Sequence, residues 1–553
     1  MSGRSEAALR AQAERLRVRV AGDEGVDVGD VGWSLVSGRS CFEHRAVVLG
    51  RGREELLDGL EALAAGAESA RVVRGAAGDL GGVVFVFPGQ GSQWAGMGRE
   101  LYETFPVFAH SIDECAAALR EWTDWPLLDV VCGVEGAPAL DRVDVVQPAL
   151  FSVMVSLAAL WRSWGVEPAA VTGHSQGEIA AAYVCGALSL RDATRIVALR
   201  SKALVDLIGH GGMASVAQPV DLVEAGIAPW KDRLSVAVVN GPGSVVISGE
   251  PDALDEFVEK ARAEGARARR ISVSYASHSH QVSRVRDQVI RPLADVRPRT
   301  SDLPLYSTLT GESVDTAGMD GTYWYENLRR QVLFAPSVRR LLGDGFRVFI
   351  EMSPHPVLTH PVQETIEDED EDVDDALVLS SSRRDRGAVE SVVGSLAHLH
   401  VRGGAVDWPA LFGERRRVDL PTYAFQRRRY WLNSSHTAAA VETPPAEPDE
   451  GAPAAVTLAA ELPTLSAEAA EARVLAHVRE VVAVVLGHPS GEIIDPDQVF
   501  AEIGFNSLAS LELSKRLNDT TGLGLRANVA LLHPSPRQLA QHILAAVGDG
   551  APG

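Results

Sequence analysis

The feature that most constrains the fold of this chain is a tight turn at residues 172–178, Thr-Gly-His-Ser-Gln-Gly-Glu. A short apolar stretch at 169–171 precedes the turn, and an apolar helical pattern at 179–184 follows it. A strand, a Gly-x-Ser-x-Gly turn and a helix form a nucleophile elbow, which exposes the serine hydroxyl and directs backbone N–H groups towards a developing oxyanion. Glycines on both sides of the serine avoid Cβ contacts in so sharp a turn. The pattern therefore predicts an α/β fold with Ser175 as a candidate nucleophile.

Length and charge exclude several classes of protein. A chain of 553 residues is too long for one core and predicts three or four domains. The net charge of −22 argues against nucleic acid or an anionic membrane as the main partner. No apolar run approaches the roughly 18 residues of a membrane span, and the N-terminus lacks a signal-peptide core. Cysteines without metal-ligand spacing are expected to be reduced thiols in a cytoplasmic protein. They are Cys41, Cys115, Cys132 and Cys185.

The first two thirds of the chain are predicted to form an α/β body with additions. Residues 1–80 are expected to be a small accessory subdomain that opens with an amphipathic helix after Ser5. The continuous apolar run at 83–87 predicts a strand covered on both faces. The large α/β subdomain is placed at 81–207 and 273–385, and short strands with one helix predict an α+β insert at 208–272.

The amino-acid composition and the predicted structure change twice in the last third of the chain. Residues 386–432 are expected to pack back on the body as a strap, and the acidic run at 367–372 is expected to be a solvated loop. Residues 433–465, rich in Ala, Pro, Glu and Thr, predict a flexible tether. Residues 466–548 predict a small all-α bundle of four helices. Its first helix carries one apolar stripe, Val474, Leu475, Val478, Val481 and Val482.

An arginine lies in the middle of an apolar helical stripe. Ser189 and Asp192 form a capping-box signature that opens this helix. At 100° per residue, Arg200 falls on one face with Ala193, Ile196, Val197, Ala203, Leu204 and Leu207. A guanidinium is always charged and cannot be buried alone without a large cost. Two interpretations follow: a structural ion pair with a local carboxylate, or a bidentate clamp for a substrate carboxylate.

Ser175 needs a general base, and the C-terminal bundle contains a second serine of interest. His278, in a polar break after the strand-like residues 271–273, is the strongest candidate base, and His280 is its near rival. His174 is adjacent to the serine but is expected to point away from it.

In the bundle, Gly-Phe-Asn-Ser-Leu at 504–508 precedes a helix, so Asn506 or Ser507 could also be an ordinary N-cap.

These motifs together resemble the acyltransferase–acyl carrier protein region of modular type I polyketide synthases. The matching acyltransferase motifs are Phe-Pro-Gly-Gln-Gly-Ser-Gln at 87–93, Gly-His-Ser-Gln-Gly at 173–177, Arg200, Tyr-Ala-Ser-His at 275–278, Glu-Met-Ser-Pro-His-Pro at 351–356 and Tyr-Ala-Phe-Gln at 423–426. Gly-Phe-Asn-Ser-Leu at 504–508 is similar to a carrier-domain phosphopantetheine site, although such domains usually have aspartate where this chain has Asn506.

The resemblance implies a role for each matching residue. Ser175 would be the acylated nucleophile and His278 its base, oriented by a backbone carbonyl near Leu333. The backbone N–H groups of Gln90 and Gln176 would form the oxyanion hole. The resemblance further implies that Arg200 binds the free carboxylate of a malonyl-type thioester in a pocket with Gln147, Tyr275 and Ser277, and that Ser507 carries the 4'-phosphopantetheine arm.

The resemblance also implies the fold, the substrate and the partners. It implies a hydrolase-like large subdomain, a ferredoxin-like insert, a linker-type subdomain at 1–80 and a carrier bundle. Within the family, the 142–147, 173–177 and 275–278 motifs accompany methylmalonyl rather than malonyl units. Acyl-CoA would be the acyl donor, and no metal is required. The expected protein partners are a phosphopantetheinyl transferase and downstream ketosynthase or synthase modules. No role is expected for nucleic acid or membrane.

Three alternatives remain open from the sequence. A serine hydrolase or thioesterase shares the elbow, but it uses an acid between serine and histidine and has no use for Arg200. A non-catalytic scaffold would leave Ser175 inert. A loading didomain that selects a monocarboxylic starter such as propionyl is favoured by the lack of a condensing domain before residue 1, whereas Arg200 favours a dicarboxylic unit.

Overall fold

A computed structural model describes residues 1–369, 376–426, 458–500, 502–503, 505, 507–526 and 528–548. The chain divides into two compact units, residues 1–426 and residues 427–553, which are described separately below.

The first unit begins with a three-stranded antiparallel sheet and three helices. The strands are Ser2–Gly3 (β1), His44–Val48 (β2) and Val72–Ala76 (β3), in the order β1-β2-β3. The helices are Glu6–Ala21 (α1), Val28–Gly38 (α2) and Arg53–Ala65 (α3). The Ser5 hydroxyl accepts a hydrogen bond from the Ala8 N–H, which confirms the predicted helix start.

A six-stranded sheet forms the centre of the first unit. Its strands are Val83–Phe87 (β4), Ala170–Gly173 (β5), Leu305–Ser307 (β10), Glu312–Val314 (β11), Val348–Glu351 (β12) and Leu377–Ser380 (β13). Their order is β11-β10-β5-β4-β12-β13, and all neighbours are parallel except β10 and β11. Four of the five residues of β4 are buried, as expected for a strand covered on both faces.

Helices cover both faces of this sheet. Those before the insert are Arg99–Thr104 (α4), Pro106–Leu119 (α5), Leu127–Cys132 (α6), Val143–Ser163 (α7), Gly177–Val184 (α8) and Leu190–Val205 (α9). The helix α7 corrects one expectation, because it is long and apolar enough to pass a membrane-span test. Among the described residues it alone does so, and 89% of its most apolar window is buried inside the protein, which is typical of a core helix.

The insert has the ferredoxin-like arrangement. Its elements are Gly212–Ala217 (β6), Val220–Ile227 (α10), Leu234–Gly241 (β7), Ser244–Gly249 (β8), Pro251–Ala263 (α11) and Arg267–Arg270 (β9). The sheet order β7-β8-β6-β9 is antiparallel throughout, and the two helices cover one face. A parallel bridge between Val238 and Val332 joins the insert to the large subdomain.

After the insert the chain completes the large subdomain and returns to the N-terminal helices. The remaining helices of the first unit are Arg286–Ile290 (α12), Gly321–Arg329 (α13), Phe334–Gly343 (α14), Thr359–Glu369 (α15), Ala388–Arg402 (α16) and Trp408–Phe412 (α17). Beyond α17, the Val418 N–H donates to the Ser34 hydroxyl and the Ala424 N–H to the Gln12 amide oxygen. These bonds hold the end of the described segment against α1 and α2.

The acidic run differs from its prediction. Residues 367–369 continue helix α15 rather than forming a loop, because Arg339 pairs with both Asp368 and Glu369. Residues 370–372, the rest of the run, lie outside the described residues.

The second unit is a helical bundle. Its helices are Leu458–Glu461 (α18), Ala467–Leu486 (α19), Ser507–Thr521 (α20), Val529–Leu532 (α21) and Pro536–Gly548 (α22). The predicted stripe of α19 is confirmed: four of its five residues are buried in the core, and Leu475 packs against that core partly buried. The tether was predicted to extend to residue 465, but Leu458 and Leu462 pack into the bundle core, so the ordered unit begins earlier. Residues 433–457, the rest of the predicted tether, lie outside the described residues.

Candidate active site

The turn between β5 and α8 is a nucleophile elbow. Ser175 has a φ of 53°, in the left-handed region that a non-glycine residue rarely occupies. A Cβ at Gly173 would lie 2.3 Å from the Glu178 Cα, and a Cβ at Gly177 would lie 2.2 Å from the Phe87 carbonyl oxygen. Both flanking glycines are therefore required by close backbone contacts, as the sequence pattern predicted.

His278 contacts the serine. Its Nε2 lies 2.8 Å from the Ser175 Oγ, and its Nδ1 lies 2.8 Å from the Arg330 carbonyl oxygen. If the Nδ1 carries the proton that this carbonyl accepts, the Nε2 is free to accept the serine proton. The orienting carbonyl belongs to Arg330, three residues before Leu333, near which the resemblance placed it. His280 is exposed at the start of a short 3-10 helix and makes no contact with the serine among the described residues.

The environment of His278 keeps its ring neutral. Burial, together with the charge of Arg200, lowers the pKa of His278 to about 3. Its ring therefore carries no charge at neutral pH and can act as a base. No carboxylate bonds to this histidine within the described part of the chain, so a backbone carbonyl takes the place of a triad acid.

Arg200 is buried without a counter-ion. Its side chain is 1% exposed, and its Nη1 donates to the Gln147 amide oxygen at 3.1 Å. Its Nη2 donates to the Asn327 amide oxygen at 3.3 Å and to the Ser175 Oγ at 3.4 Å. Its Nε has no partner, and no ion pair to Asp or Glu forms within the described residues. The ion-pair interpretation of Arg200 is therefore wrong. Burial lowers the pKa of Arg200 to about 10, so the group stays charged at neutral pH.

A chain of amides holds Arg200 in place. The Gln147 side-chain amide donates to the Gln90 Oε1 at 2.8 Å, and the Tyr275 hydroxyl donates to the same oxygen at 2.8 Å. Burial raises the pKa of Tyr275 to about 12, so its hydroxyl stays protonated and remains a donor. Three of the four residues predicted to form the substrate pocket, Gln147, Tyr275 and Arg200, are thus joined through Gln90 in one hydrogen-bonded network, and the fourth, Ser277, is not part of it.

The predicted oxyanion donors lie beside the serine. The backbone N–H groups of Gln90 and Gln176 have no acceptor among the described residues, so both remain available to a ligand oxygen. Gln176 precedes the first residue of α8, where the N-terminal end of a helix favours negative charge. The Gln176 side chain is 1% exposed, and neither of its amide atoms has a partner.

These groups surround a cavity of about 230 Å³ between the large subdomain and the insert. Its polar lining includes Ser175, His278 and Arg200. Its apolar lining residues come from both subdomains. The apolar lining residues are Leu204, Met213, Val238, Val246, Ile271, Val273, Leu328, Val357 and Leu358. Ser277 also lines the cavity, and its hydroxyl contacts the Met213 sulfur at 3.5 Å.

His174 joins the two subdomains instead of contacting the serine hydroxyl. Its Nε2 lies 2.9 Å from the Asn240 Oδ1 on β7, and its ring lies against Phe334. Burial lowers the pKa of His174 to about 4. The predicted orientation, away from Ser175, is confirmed.

Three residues of this site had no role assigned to them from the sequence. Asn327 accepts from Arg200 and donates to the Ser175 carbonyl oxygen at 3.3 Å, so it fixes the guanidinium relative to the elbow. Glu178, fully buried, accepts from Ser307, Tyr323 and Thr308 beneath the elbow. Glu351 accepts from three successive N–H groups at 357–359, next to the cavity wall. The only signal for Glu178 was a charged residue at the start of an apolar helix.

In the second unit, Ser507 is the first residue of α20. Phe505, two residues earlier, packs against Phe500 with ring centroids 4.9 Å apart, so this phenylalanine contacts the core of the second unit. Asn506, the other candidate N-cap, lies outside the described residues.

Comparison with known proteins identifies three regions. Residues 84–406 match the acyl transferase domain family, residues 476–543 match the phosphopantetheine attachment site family, and residues 1–60 match the family described as CurL-like, PKS C-terminal.

Curated relatives are much longer than this chain. The spectinabilin polyketide synthase system protein NorC of Streptomyces orinoci is 47% identical over 531 residues, which cover 93% of this chain and 23% of that protein. The mycoketide-CoA synthase of Mycobacterium tuberculosis is 52% identical over 441 residues, 80% of this chain and 11% of that protein. The chain thus spans less than a quarter of the length of either relative.

Solved structures agree with the fold. The acyltransferase domain from module 8 of the salinomycin polyketide synthase is 50% identical, with a TM-score of 0.71 over 74% of this chain and 96% of that domain. A loading acyltransferase from the avermectin modular polyketide synthase is 47% identical, with a TM-score of 0.56 over 58% of this chain and all of that structure.

Proposed function

This chain belongs to the acyltransferase and acyl carrier family of modular type I polyketide synthases. From that premise we propose that it moves a dicarboxylic acyl unit, best represented by methylmalonyl, from CoA to the phosphopantetheine thiol on its own carrier serine, Ser507. The observation that carries the proposal is the buried, charged Arg200 guanidinium, which lies beside the Ser175–His278 pair and pairs with no carboxylate in the described part of the chain.

The first half-reaction acylates the serine. The Ser175 Oγ attacks the thioester carbonyl while its proton passes to the His278 Nε2, and the carbonyl electron pair forms an oxyanion held by the N–H groups of Gln90 and Gln176. The carbon–sulfur bond then breaks. CoA leaves as the thiol with the proton from His278, and the acyl group remains on the serine.

The second half-reaction repeats these steps with a different thiol. Ser507 would hold 4'-phosphopantetheine through a phosphodiester. Its position at the start of α20, where backbone N–H groups face outward, fits a phosphate. The group supplies a thiol that accepts the acyl unit. His278 takes the proton of the attacking thiol and returns it to the Ser175 oxygen as the ester bond breaks.

Arg200 selects the acyl group. A carboxylate on the acyl α-carbon could accept from the Nη2 and the unpartnered Nε of this guanidinium. We infer that the small Ser277 side chain at the cavity wall leaves room beside the α-carbon for one methyl group. A pocket difference of one methyl is worth about 1–3 kcal/mol, so the preference for methylmalonyl over malonyl should be incomplete.

The surrounding partners follow from the same assignment. A phosphopantetheinyl transferase would load Ser507, and ketosynthase domains or further synthase modules would take the acyl unit in the cytoplasm.

An α/β serine hydrolase is not favoured, because the His278 Nδ1 contacts a carbonyl oxygen rather than an acid. A loading role for propionyl is not favoured either, because it would leave Arg200 buried without an anion.

Labelling of two serines tests the proposal. With radiolabelled methylmalonyl-CoA, the phosphopantetheinylated chain should carry label at Ser175 and Ser507. Ser175→Ala should abolish label at both positions, whereas Ser507→Ala should retain label at Ser175 alone. Continued labelling of the transferase region in Ser175→Ala would overturn the nucleophile assignment, and competition among malonyl-, methylmalonyl- and propionyl-CoA would rank the acyl units.

A further inference from the structure

The strand β9 carries three exposed arginines among its four residues, in a chain whose net charge is −22. The side chains of two of them, Arg267 and Arg269, make no ion pair or hydrogen bond to any described residue, although their backbones pair with β6. The third, Arg270, pairs with Asp255 at 3.3 Å and donates to the Pro251 carbonyl oxygen. The strand thus combines one partnered arginine with two that are free to bind a ligand.

The sheet register separates these arginines onto two faces. Arg270 lies opposite Ala214 and Ala268 lies opposite Val216, and these three small or apolar partners pack against the insert helices. Arg269 lies opposite Ser215 and Arg267 lies opposite Ala217, on the other face. Because side chains alternate along a strand, Arg267 and Arg269 share the face that points away from α10 and α11.

That second face forms part of the wall of the active-site cavity. Its Val238 and Val246 line the cavity, and Val246 lies directly opposite Ser215, the neighbour of Arg269. Met213, two residues before Ser215, and Ile271, two residues after Arg269, lie on the same face and also line the cavity. Arg269 therefore lies where the wall of the cavity reaches the open edge of the sheet.

The residue spacing along the strand places Arg269 and Arg267 at increasing distances from the cavity. At about 3.3 Å per residue, Arg269 is roughly 7 Å beyond the cavity residue Ile271, and Arg267 is roughly 13 Å beyond it. Two arginines whose side chains have no partner among the described residues thus follow one another along β9, at increasing distance from the cavity residue Ile271.

We propose that Arg267 and Arg269 bind the phosphate at the far end of the pantetheine arm while the thioester lies at Ser175. This proposal rests on the proposed function, in which every acyl group arrives or leaves on such an arm. The phosphate next to pantetheine is present both in CoA and in a phosphopantetheinylated carrier. Exposed arginines suit it because their fork of donors matches phosphate oxygens.

Thioesters of different length test the assignment. In the full chain with Ser507→Ala, acylation of Ser175 is followed by intact mass with methylmalonyl thioesters of pantetheine, 4'-phosphopantetheine and CoA. In the double variant Arg267→Gln, Arg269→Gln, we expect kcat/KM to fall roughly three- to tenfold for the two phosphorylated donors and to stay unchanged for pantetheine. The loss should shrink as salt is raised from low ionic strength.

Arg270→Gln is the matched control, because it removes a neighbouring arginine from the opposite face and should leave all three donors unaffected. An equal loss on all three donors in the double variant, or no loss on the phosphopantetheine donor, would overturn the phosphate site. Both results would leave the proposed function intact, since that function fails only if the parent chain does not acylate Ser175.

A second measurement separates the two sources of phosphate. The phosphopantetheinylated chain is acylated with methylmalonyl-pantetheine, which has no phosphate, and transfer from Ser175 to Ser507 is timed. Slower transfer in the double variant assigns the carrier's phosphate to the site as well. Unchanged transfer, with the donor effect present, assigns the site to soluble CoA thioesters alone.

Discussion

The Nη2 of Arg200 lies 3.4 Å from the Oγ of Ser175, so a group that is charged at neutral pH contacts the serine hydroxyl in a buried site where no described residue supplies an anion. Burying a lone guanidinium is unfavourable, and among the described residues the hydrogen bonds that compensate this one come from two amide oxygens and a hydroxyl. The arrangement favours any ligand that brings a carboxylate close to the serine.

Replacing Arg200 tests this dependence. Arg200→Ala should lower kcat/KM for methylmalonyl-CoA by roughly 100-fold, because charge-assisted hydrogen bonds to the acyl carboxylate are lost. Propionyl-CoA, which has no such carboxylate, should be spared. Acylation of Ser175 measured by mass for both substrates checks the expectation, with Arg200→Lys as the variant that keeps charge but not the fork. A similar loss on both substrates would contradict the clamp.

The rate of Ser175 acylation should not show the fall at mildly acidic pH that protonation of a catalytic histidine normally causes. Burial and the Arg200 charge lower the pKa of His278 to about 3, so its base form persists well below pH 6.5. We therefore expect the acylation rate to be nearly flat from about pH 8 down to about pH 5.5. Rapid-quench acylation across this range provides the measurement, and a midpoint near 6.5 would contradict it. Arg200→Gln should move the acid limb to higher pH, because the nearby cation is gone.

The same histidine should make folding acid-sensitive. The folded-state pKa of His278 lies below the unfolded value near 6.5, so the unfolded chain binds more protons between about pH 3 and 6.5. Its contribution to the free energy of unfolding therefore falls as pH drops through that window. His278→Gln should weaken the pH dependence of urea unfolding of the first unit, and an unchanged slope below pH 6.5 would count against this linkage.

Glu178 should be essential for the support of the elbow. Glu178→Gln should lower the free energy of unfolding by about 1–3 kcal/mol, because an amide nitrogen would replace one of two carboxylate oxygens that each accept two hydrogen bonds. Tyr323→Phe removes one donor and keeps the carboxylate, so it should cost less, about 1 kcal/mol. Denaturant unfolding compares the two, and a Gln variant as stable as the parent chain would show that Glu178 is not needed as an acceptor.

The glycine after the nucleophile should not tolerate a methyl group. A Cβ at Gly177 would lie 2.2 Å from the Phe87 carbonyl oxygen, so Gly177→Ala must displace β4 or the elbow. We expect acylation of Ser175 to be lost, with lower thermal stability. Gly243→Ala, where no atom lies within 4 Å of the new Cβ, is the control and should behave as the parent chain.

Local pattern alone determined several parts of this protein. The elbow at Ser175 was readable because close backbone contacts require its glycines, and the helix around Arg200 because capping and apolar spacing are short-range properties. The two-sided burial of β4 followed from its unbroken apolar run. Each of these depends on residues that are near one another in the chain.

The tertiary structure decided which distant residues meet. Ser175 and His278 are 103 positions apart, and Arg200 and Asn327 are 127 apart, so no local pattern could show that they touch. The sequence therefore left open whether Arg200 had a carboxylate partner, which histidine served the serine and which carbonyl oriented it. Those answers came from packing, because only the folded sheet and the insert bring the required groups within hydrogen-bond distance.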